Sequence, residues 1–278
     1  MPSGILWGMD IVQLLPGSPV PIGELPDRLL SRGTYAFTSS DAARAAGISP
    51  DAARVALARL VTKKLIFSPA RGLYVCIPPE YRTWGALPAP WFVDPLMNHL
   101  GRSYYVGLLS AAEQHGAAHQ RPQSFQVVVD RKVRDRTFGR VRLRFVSHRA
   151  VSDLPTVRMN VPTGTMAVST PELTAVDLAN RPDDAGGRHN LATVVIDLAA
   201  EGNVDVAKLT DVGAHFPIAA GRRLGWLLDQ FTELDLAPLA ESLTRGAAEP
   251  SALDPHGPRL GHVDQRWHLR INATVEPD

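Results

Sequence analysis

The sequence contains very little cysteine. Cys76 is the only cysteine among 278 residues, so a disulfide bond within the chain is excluded. Chains without a disulfide framework are typical of the reducing cytosol. Cys76 lies in the apolar run LYVCI, which predicts a buried, inert thiol rather than a nucleophile.

Long hydrophobic runs are also missing. No uncharged apolar stretch approaches the roughly 20 residues that a membrane-spanning helix requires. The opening residues, MPSGILWGMDIVQLL, have neither the basic start nor the small-residue cleavage site of a signal peptide. We therefore expect a soluble, cytoplasmic protein that does not interact with membranes.

The common catalytic motifs are absent as well. The sequence has no G-x-x-x-x-G-K-[ST], no G-x-G-x-x-G after a strand and no G-x-S-x-G. His115 and His119 have the spacing of a helical zinc pair, but Gly116 interrupts the helix and the glutamate of H-E-x-x-H is missing. We therefore expect no enzyme activity, no catalytic residues, no metal site and no cofactor.

Net charge is nearly absent, because 29 lysines and arginines face 28 acidic residues. A nucleic-acid surface would have to come from uneven placement of these charges.

The length of the chain favours two domains. Residues 78–95 contain five prolines and two tryptophans, which predicts a linker that packs on something. The predicted fold class is α+β, with an N-terminal winged helix-turn-helix domain over 1–77 and a C-terminal mixed α/β domain over 96–278.

The stretch DAARAAGISPDAARVALARL, residues 41–60, repeats the tetrapeptide D-A-A-R. A single helix through it is unfavourable, because Gly47 suits a left-handed helix end and Pro50 suits a first helical position. Ser49 is then an N-cap residue. The stretch predicts two helices joined by a short turn, the first ending near Ala46 and the second running from Pro50 to about Lys64.

Two apolar runs, 65–67 and 73–77, follow and are separated by SPARG, which predicts a β-hairpin. Helices plus hairpin indicate a winged helix that binds double-stranded DNA, with the second helix in the major groove. We predict that Ser49, Asp51 and Arg54 approach base edges, and that Arg44, Lys63, Lys64 and Arg71 contact phosphates. A purely structural or protein-binding winged helix is the alternative, because residues 1–80 carry only eight basic residues against six acidic ones.

The mixed α/β region carries its own helix and strand patterns. Residues 103–114 predict a helix, 124–130 and 139–146 predict strands, and Thr170 with Pro171 predicts a helix start. Further helices are predicted over 191–200, 205–214 and 219–232, and a closing strand over 267–275.

Taken with the winged-helix pattern, the segments YYVGLLSAAEQHG, STPELTAVDLA and GRRLGWLLDQ resemble the AbiEi-type antitoxins along most of the chain. The resemblance implies an antitoxin that represses its own operon by binding its promoter and neutralises a nucleotidyltransferase-like toxin. It also implies DNA contacts by Ser49, Asp51, Arg54 and Arg59, and by Arg71 in the wing. In this sequence Lys64 stands where many winged helices have a glycine, and Val55 where a basic residue is common.

A second basic segment covers residues 131–149, with eight lysines and arginines against one acid. We predict that it is a second polyanion surface that binds DNA beside the wing or RNA. The alternative function is an RNA-binding or nucleic-acid-processing effector. The segment could also be a charged edge strand, or its arginines could pair with acids elsewhere. The residues of the predicted surface are Arg131, Lys132, Arg134, Arg136, Arg140, Arg142 and Arg144.

Overall fold

The computed structural model describes residues 11–15, 19–118, 122–200, 204–244 and 249–277. The helices are α1 Ile11–Leu14, α2 Leu25–Leu30, α3 Ser39–Ala46, α4 Pro50–Thr62, α5 Val93–Leu100, α6 Leu108–Gln114, α7 Pro171–Asn180, α8 Arg188–Ala199, α9 Val206–Gly213, α10 Ile218–Phe231 and α11 Ala237–Thr244. The strands are β1 Ala36–Thr38, β2 Ile66–Ala70, β3 Leu73–Cys76, β4 Tyr104–Val106, β5 Phe125–Val129, β6 Arg136–Phe138, β7 Val141–Ser147, β8 Thr156–Val161, β9 Gly164–Ser169, β10 Ser251–Ala252, β11 His262–Asp264 and β12 Leu269–Ile271.

The chain divides into two compact units that interleave along the sequence. Unit 1 comprises residues 1–104, 129–147 and 158–167, and unit 2 comprises residues 105–128, 148–157 and 168–278. This division groups the basic segment around β6 and β7 with the N-terminal region. The boundaries predicted from sequence, 1–77, 78–95 and 96–278, stay a prediction.

The N-terminal part of unit 1 is a winged helix. A three-stranded sheet with the order β1-β3-β2 is antiparallel throughout, with Phe37 opposite Tyr74 and Phe67 opposite Val75. Leu25 and Leu29 of α2 and Leu57 of α4 are fully buried in one apolar core. The order of helices and strands confirms the predicted winged helix-turn-helix domain and the α+β fold class.

The proline-rich segment 78–95 packs on the wing through its aromatic residues. Phe92 is fully buried and meets Phe67 of β2 edge-on, with ring centroids 5.1 Å apart. Trp91 contacts Tyr35 and Tyr81 in the same edge-on manner. These ring contacts confirm the expectation that the aromatic residues of the segment pack on other residues.

Helix α7 is the central helix of unit 2. Every position from Glu172 to Ala179 is buried, because the helix packs against α6, α8, α9 and α10. Thr170 caps its start by accepting a hydrogen bond from the backbone N–H of Leu173 at 3.3 Å. Pro171 occupies the first turn. These contacts confirm the helix start predicted at Thr170 and Pro171.

Helix α10 packs closely against Trp267 in unit 2. Gly225 lies directly against the ring of Trp267, and a Cβ atom added there would come within 2.0 Å of that ring. The Trp267 indole N–H donates to Asp229 at 3.0 Å. Arg223 is buried and donates to the carbonyls of Ala179 and Leu253, which ties α10 to the end of α7.

The helix predicted over residues 103–114 was wrong in its first half. Residues Tyr104–Val106 form strand β4, which pairs in parallel with β9 at Val106 and Val168. Leu108 then has a left-handed φ of 54°, and α6 begins there. The aromatic and β-branched side chains of YYV favour a strand when a partner strand is available, and sequence periodicity could not show that partner.

The end of the chain is less regular than its apolar pattern indicated. The strand predicted over 267–275 is limited to β12, which lies between β10 and β11 in a small sheet. β10 is parallel to β12 and β11 is antiparallel to it. Within the ranges that the structure describes, no helix is long and apolar enough to cross a membrane.

Candidate nucleic-acid interface

Helix α3 begins with a complete capping box. The hydroxyl of Thr38 accepts from the N–H of Asp41 at 3.1 Å, and the carboxylate of Asp41 accepts from the N–H of Thr38 at 2.9 Å. Arg44 also donates to Asp41, at 2.6 Å. Burial opposes ionisation of Asp41, but these hydrogen bonds and the charge of Arg44 outweigh it, so the pKa of Asp41 is lowered.

The turn between α3 and α4 has the predicted chemistry. Gly47 has a left-handed φ of 62°, and the N–H of Ile48 donates to Ala43, which together form a Schellman end. Ser49 then caps α4 by accepting from the N–H of Ala52 at 3.3 Å, and Pro50 is the first helical residue. The helix-turn-helix is therefore defined by local hydrogen bonds, and both predicted helices are confirmed.

The solvent-exposed side of helix α4 carries both polar and apolar residues. Ala53, Leu57 and Leu60 are its buried residues. Asp51, Arg54 and Arg59 are exposed, and Arg54 lies 3.2 Å from Asp51 in an ion pair one turn apart. The second D-A-A-R copy therefore pairs its own acid and arginine, as the first copy does with Asp41 and Arg44.

An unusual residue, Lys64, follows the end of helix α4. The helix stops at Thr62, and Lys64 has a left-handed φ of 56°, the conformation in which glycine is usual. The N–H of Lys64 donates to Val61 at 2.9 Å and that of Leu65 to Leu60 at 3.1 Å, which is a second Schellman end. The lysine thus keeps the glycine's backbone geometry while adding a charge beside the helix.

The wing is the hairpin of β2 and β3. Its strands are joined by Arg71 and Gly72, and Gly72 has a left-handed φ of 82°. Arg71 is exposed, and its carbonyl lies 3.0 Å from the Nε2 atom of His99 on α5. The backbone of the turn is therefore supported while the arginine side chain extends from the wing tip.

A second hairpin, formed by β6 and β7, packs on the wing within unit 1. The guanidinium of Arg136 donates to the carbonyl of Pro69 on β2. Phe138 packs against Phe67, with ring centroids 5.6 Å apart. Gly139 contacts the backbone of Trp84 so closely that no side chain could be accommodated. Sequence reasoning missed these contacts, because they join residues far apart in the chain.

The β6–β7 hairpin and the residues just before it carry several exposed cations. In β7, Val141 and Leu143 are buried and Arg142 and Arg144 are exposed, while Arg140 lies in the turn before the strand. The other exposed cations are Arg131, Lys132 and Arg134, whereas Arg136 is half-buried by its contact with the wing. Arg131 lies 3.8 Å from Asp130.

The two units carry opposite net charges. Unit 1 contains 18 lysines and arginines against nine acidic residues, and unit 2 contains 11 against 19. Their net charges of +9 and −8 leave only +1 for the whole chain. The positive charge that DNA binding requires is therefore concentrated in the unit that contains the helix-turn-helix and the wing.

Comparison with known families agrees with this architecture. Residues 24–76 match the family model described as "Transcriptional regulator, AbiEi antitoxin", and residues 105–230 match "AbiEi antitoxin C-terminal domain". The chain belongs to the AbiEi antitoxin family. It is therefore grouped with DNA-binding antitoxin regulators, and the resemblance predicted from its motifs is confirmed.

A solved structure supports the fold of this AbiEi family member. The crystal structure of the RV2827C protein from Mycobacterium tuberculosis aligns with a TM-score of 0.66 over 90% of this chain and 91% of that one. The sequence identity is 18%, so the similarity concerns the fold alone. No curated protein matches the chain.

Two of the segments that resemble the AbiEi antitoxins contact each other in unit 2. In YYVGLL, the hydroxyl of Tyr105 donates to Asp177 of STPELTAVDLA at 2.9 Å, and both residues are buried. Burial raises the pKa of Asp177 to about 7, although the bond from Tyr105 and the charge of Arg181 act in the opposite direction. This hydrogen bond therefore places the two segments in the interior of unit 2.

The histidine pair considered as a metal site does not acquire further ligands from the part of the chain that the structure describes. The Nε2 atom of His115 lies 2.7 Å from the carbonyl of Ser169, a contact that joins the end of α6 to β9. His119 lies outside the described residues.

Proposed function

We propose that the protein represses its own operon and neutralises a neighbouring nucleotidyltransferase-like toxin. In this proposal α4 enters the major groove of the promoter, and the wing follows the DNA backbone. The observation that supports it most directly is the solvent-exposed face of α4, with Arg54 and Arg59 exposed on a helix that ends beside the wing. A promoter repressor acts where the chromosome is, which agrees with a cytoplasmic protein.

Each basic residue has a distinct proposed role. Arg54 and Arg59 approach base edges from α4, with Ser49 and Asp51 at its start, and Arg71 contacts phosphates from the wing. Lys63 and Lys64 lie at the end of α4, where they contact phosphates. Arg44 also contacts phosphates, but it is held against Asp41 and is therefore directed by the capping box.

The β6–β7 hairpin extends this proposed surface. Because Arg136 and Phe138 attach it to β2, its exposed arginines belong to the same compact unit as the wing. This placement favours a DNA contact beside the wing over a separate RNA-binding function. We propose that Arg140, Arg142 and Arg144 contact phosphates outside the site that α4 reads.

The DNA proposal can be tested by gel shift with the region upstream of the gene, at several stated salt concentrations. Arg54→Ala should weaken binding roughly tenfold and reduce discrimination between base sequences. Arg44→Ala should weaken binding to all sequences alike, since it contacts only phosphates in this proposal. Transfer RNA serves as the competitor for the alternative function. Binding to tRNA but not to promoter DNA would favour the RNA-binding effector and contradict the repressor.

The antitoxin role requires a separate experiment. The neighbouring gene should arrest growth when expressed alone, and co-expression of this protein should restore growth. A neighbour that is harmless alone would contradict this part of the proposal while leaving promoter binding unaffected.

A further inference from the structure

The outermost line of helix α4 consists of methyl-bearing side chains. Successive helical residues are rotated by about 100°, so Val55, Ala58 and Thr62 point almost directly away from the buried residues. All three are exposed, and 52% of Val55 is accessible to solvent. The hydroxyl of Thr62 donates to the carbonyl of Ala58 at 3.1 Å, which satisfies it within the helix. The centre of this face therefore offers methyl groups, and Asp51 is the charged residue at its start.

Cationic residues border this apolar line on both sides. Arg54 lies on one flank of the helix and Arg59 on the other, as their angular positions require. Lys63 follows at the end of the helix and is exposed. An apolar line between cations is complementary to a surface that carries apolar groups between rows of negative charge.

The major groove of DNA has this pattern. Its edges are lined with phosphates, and the one apolar group that its bases present is the C5 methyl of thymine. We propose that α4 recognises thymine methyl groups, with Val55 as the principal contact and Ala58 beside it. This inference rests on the proposed promoter binding, and it assigns sequence specificity to an apolar residue of α4.

Contact between α4 and thymine methyl groups can be tested with two DNAs that differ only in these methyl groups. The upstream region is amplified either with thymidine triphosphate or with deoxyuridine triphosphate, which keeps sequence, length and charge while replacing thymine by uracil. Each buried methyl contributes about fourfold in affinity, so contact with two predicts roughly fifteenfold weaker binding to the uracil DNA.

Val55→Ser should bind the two DNAs with nearly equal affinity. Val61→Ser is the matched control, because Val61 is an exposed valine of the same helix, rotated by about 120° from Val55. It should discriminate between the DNAs as the unmodified protein does. Circular dichroism of both variants checks that α4 is intact.

The possible outcomes separate the two proposals. Binding to neither DNA would contradict promoter binding itself. Equal binding of the unmodified protein to both, or discrimination that persists in Val55→Ser, would overturn the thymine-methyl contact while leaving promoter binding supported. If Val55→Ser instead changes the mass of the protein in solution and leaves DNA discrimination unchanged, the face is a contact between copies of the chain and the inference fails.

Discussion

Unit 1 carries a net charge of +9 and unit 2 a net charge of −8, and the two units also place their arginines differently. In unit 1, Arg54, Arg71 and Arg142 are exposed. In unit 2, Arg222 and Arg223 are buried and donate to backbone carbonyls. Two arginines of unit 2 therefore supply internal hydrogen bonds, whereas the three named in unit 1 supply surface charge. The nearly neutral composition of the whole chain conceals the opposite net charges of the two units.

This contrast between the units indicates where substitutions should affect folding and where they should affect DNA binding. Unit 2 contains the family's most recognisable motifs, and their side chains are packed in its interior, so changes there should affect folding. Unit 1 contains the exposed cations of the helix-turn-helix, the wing and the β6–β7 hairpin, so changes at these cations should affect DNA affinity with little loss of stability.

The largest effect is expected at the contact between α10 and Trp267. Gly225→Ala should lower the free energy of unfolding by about 3 kcal/mol or more, because its methyl group would overlap the buried indole ring. Gly213→Ala is the matched control, since a Cβ atom there meets nothing within 4 Å. Chemical denaturation measures both variants. Equal stability of the two would show that packing at α10 is not restrictive.

The buried carboxyl of Asp177 should make stability depend on pH. Its folded pKa of about 7 lies above the value of about 3.9 expected in the unfolded chain. Between these values the folded protein holds the proton more strongly, so the stabilisation is complete below about pH 4 and is lost as the pH rises to 7. Because the two pKa values differ by about three units, the loss should be on the order of 3–4 kcal/mol.

Asp177→Asn should remove this pH dependence, because the amide oxygen can still accept from Tyr105 and carries no proton that titrates. Denaturation at pH 4 and at pH 7 measures the difference between the variant and the unmodified protein. Asp153→Asn, at an exposed position, should keep the original dependence. If Asp177→Asn also kept the pH dependence of stability, Asp177 would not be its source.

The cations of the β6–β7 hairpin should affect binding but not folding. Replacing Arg140 and Arg142 together by glutamine should weaken promoter binding severalfold and reduce the slope of log affinity against log salt by about two. Arg259→Gln removes an exposed cation from unit 2 and should leave this slope unchanged. Equal effects of the two changes would mean that the hairpin does not contact DNA.

The smallest effect is expected at the end of α4. Lys64→Gly removes the strain of a side chain on a left-handed backbone, but the glycine also makes the unfolded chain more flexible. The free energy of unfolding should therefore rise by less than about 1 kcal/mol. Lys63→Gly should lower stability, because Lys63 has the ordinary helical φ of −77°. Thermal unfolding distinguishes the two. The removal of a cation should weaken DNA binding slightly in both variants, so stability and affinity change in opposite directions only at position 64.

Local sequence signals are sufficient to predict the helix-turn-helix. Gly47, Ser49 and Pro50 act through backbone conformation and hydrogen bonds that span only a few residues, so their effects can be predicted without the rest of the chain. The same holds for the start of α7 at Thr170. The residues proposed to contact DNA could also be named from sequence, because they lie on or next to these locally defined elements.

Tertiary structure alone decided which distant segments pack together. Arg136 reaches Pro69, Phe138 meets Phe67, and Tyr105 donates to Asp177, each across a large sequence separation. Strand β4 also depends on a distant partner strand, β9. For this reason the helix that the local sequence predicts over YYV is wrong. Such contacts depend on packing and strand pairing between residues that no local pattern connects, and for that reason the grouping of the basic hairpin with the wing could only be seen in the folded chain.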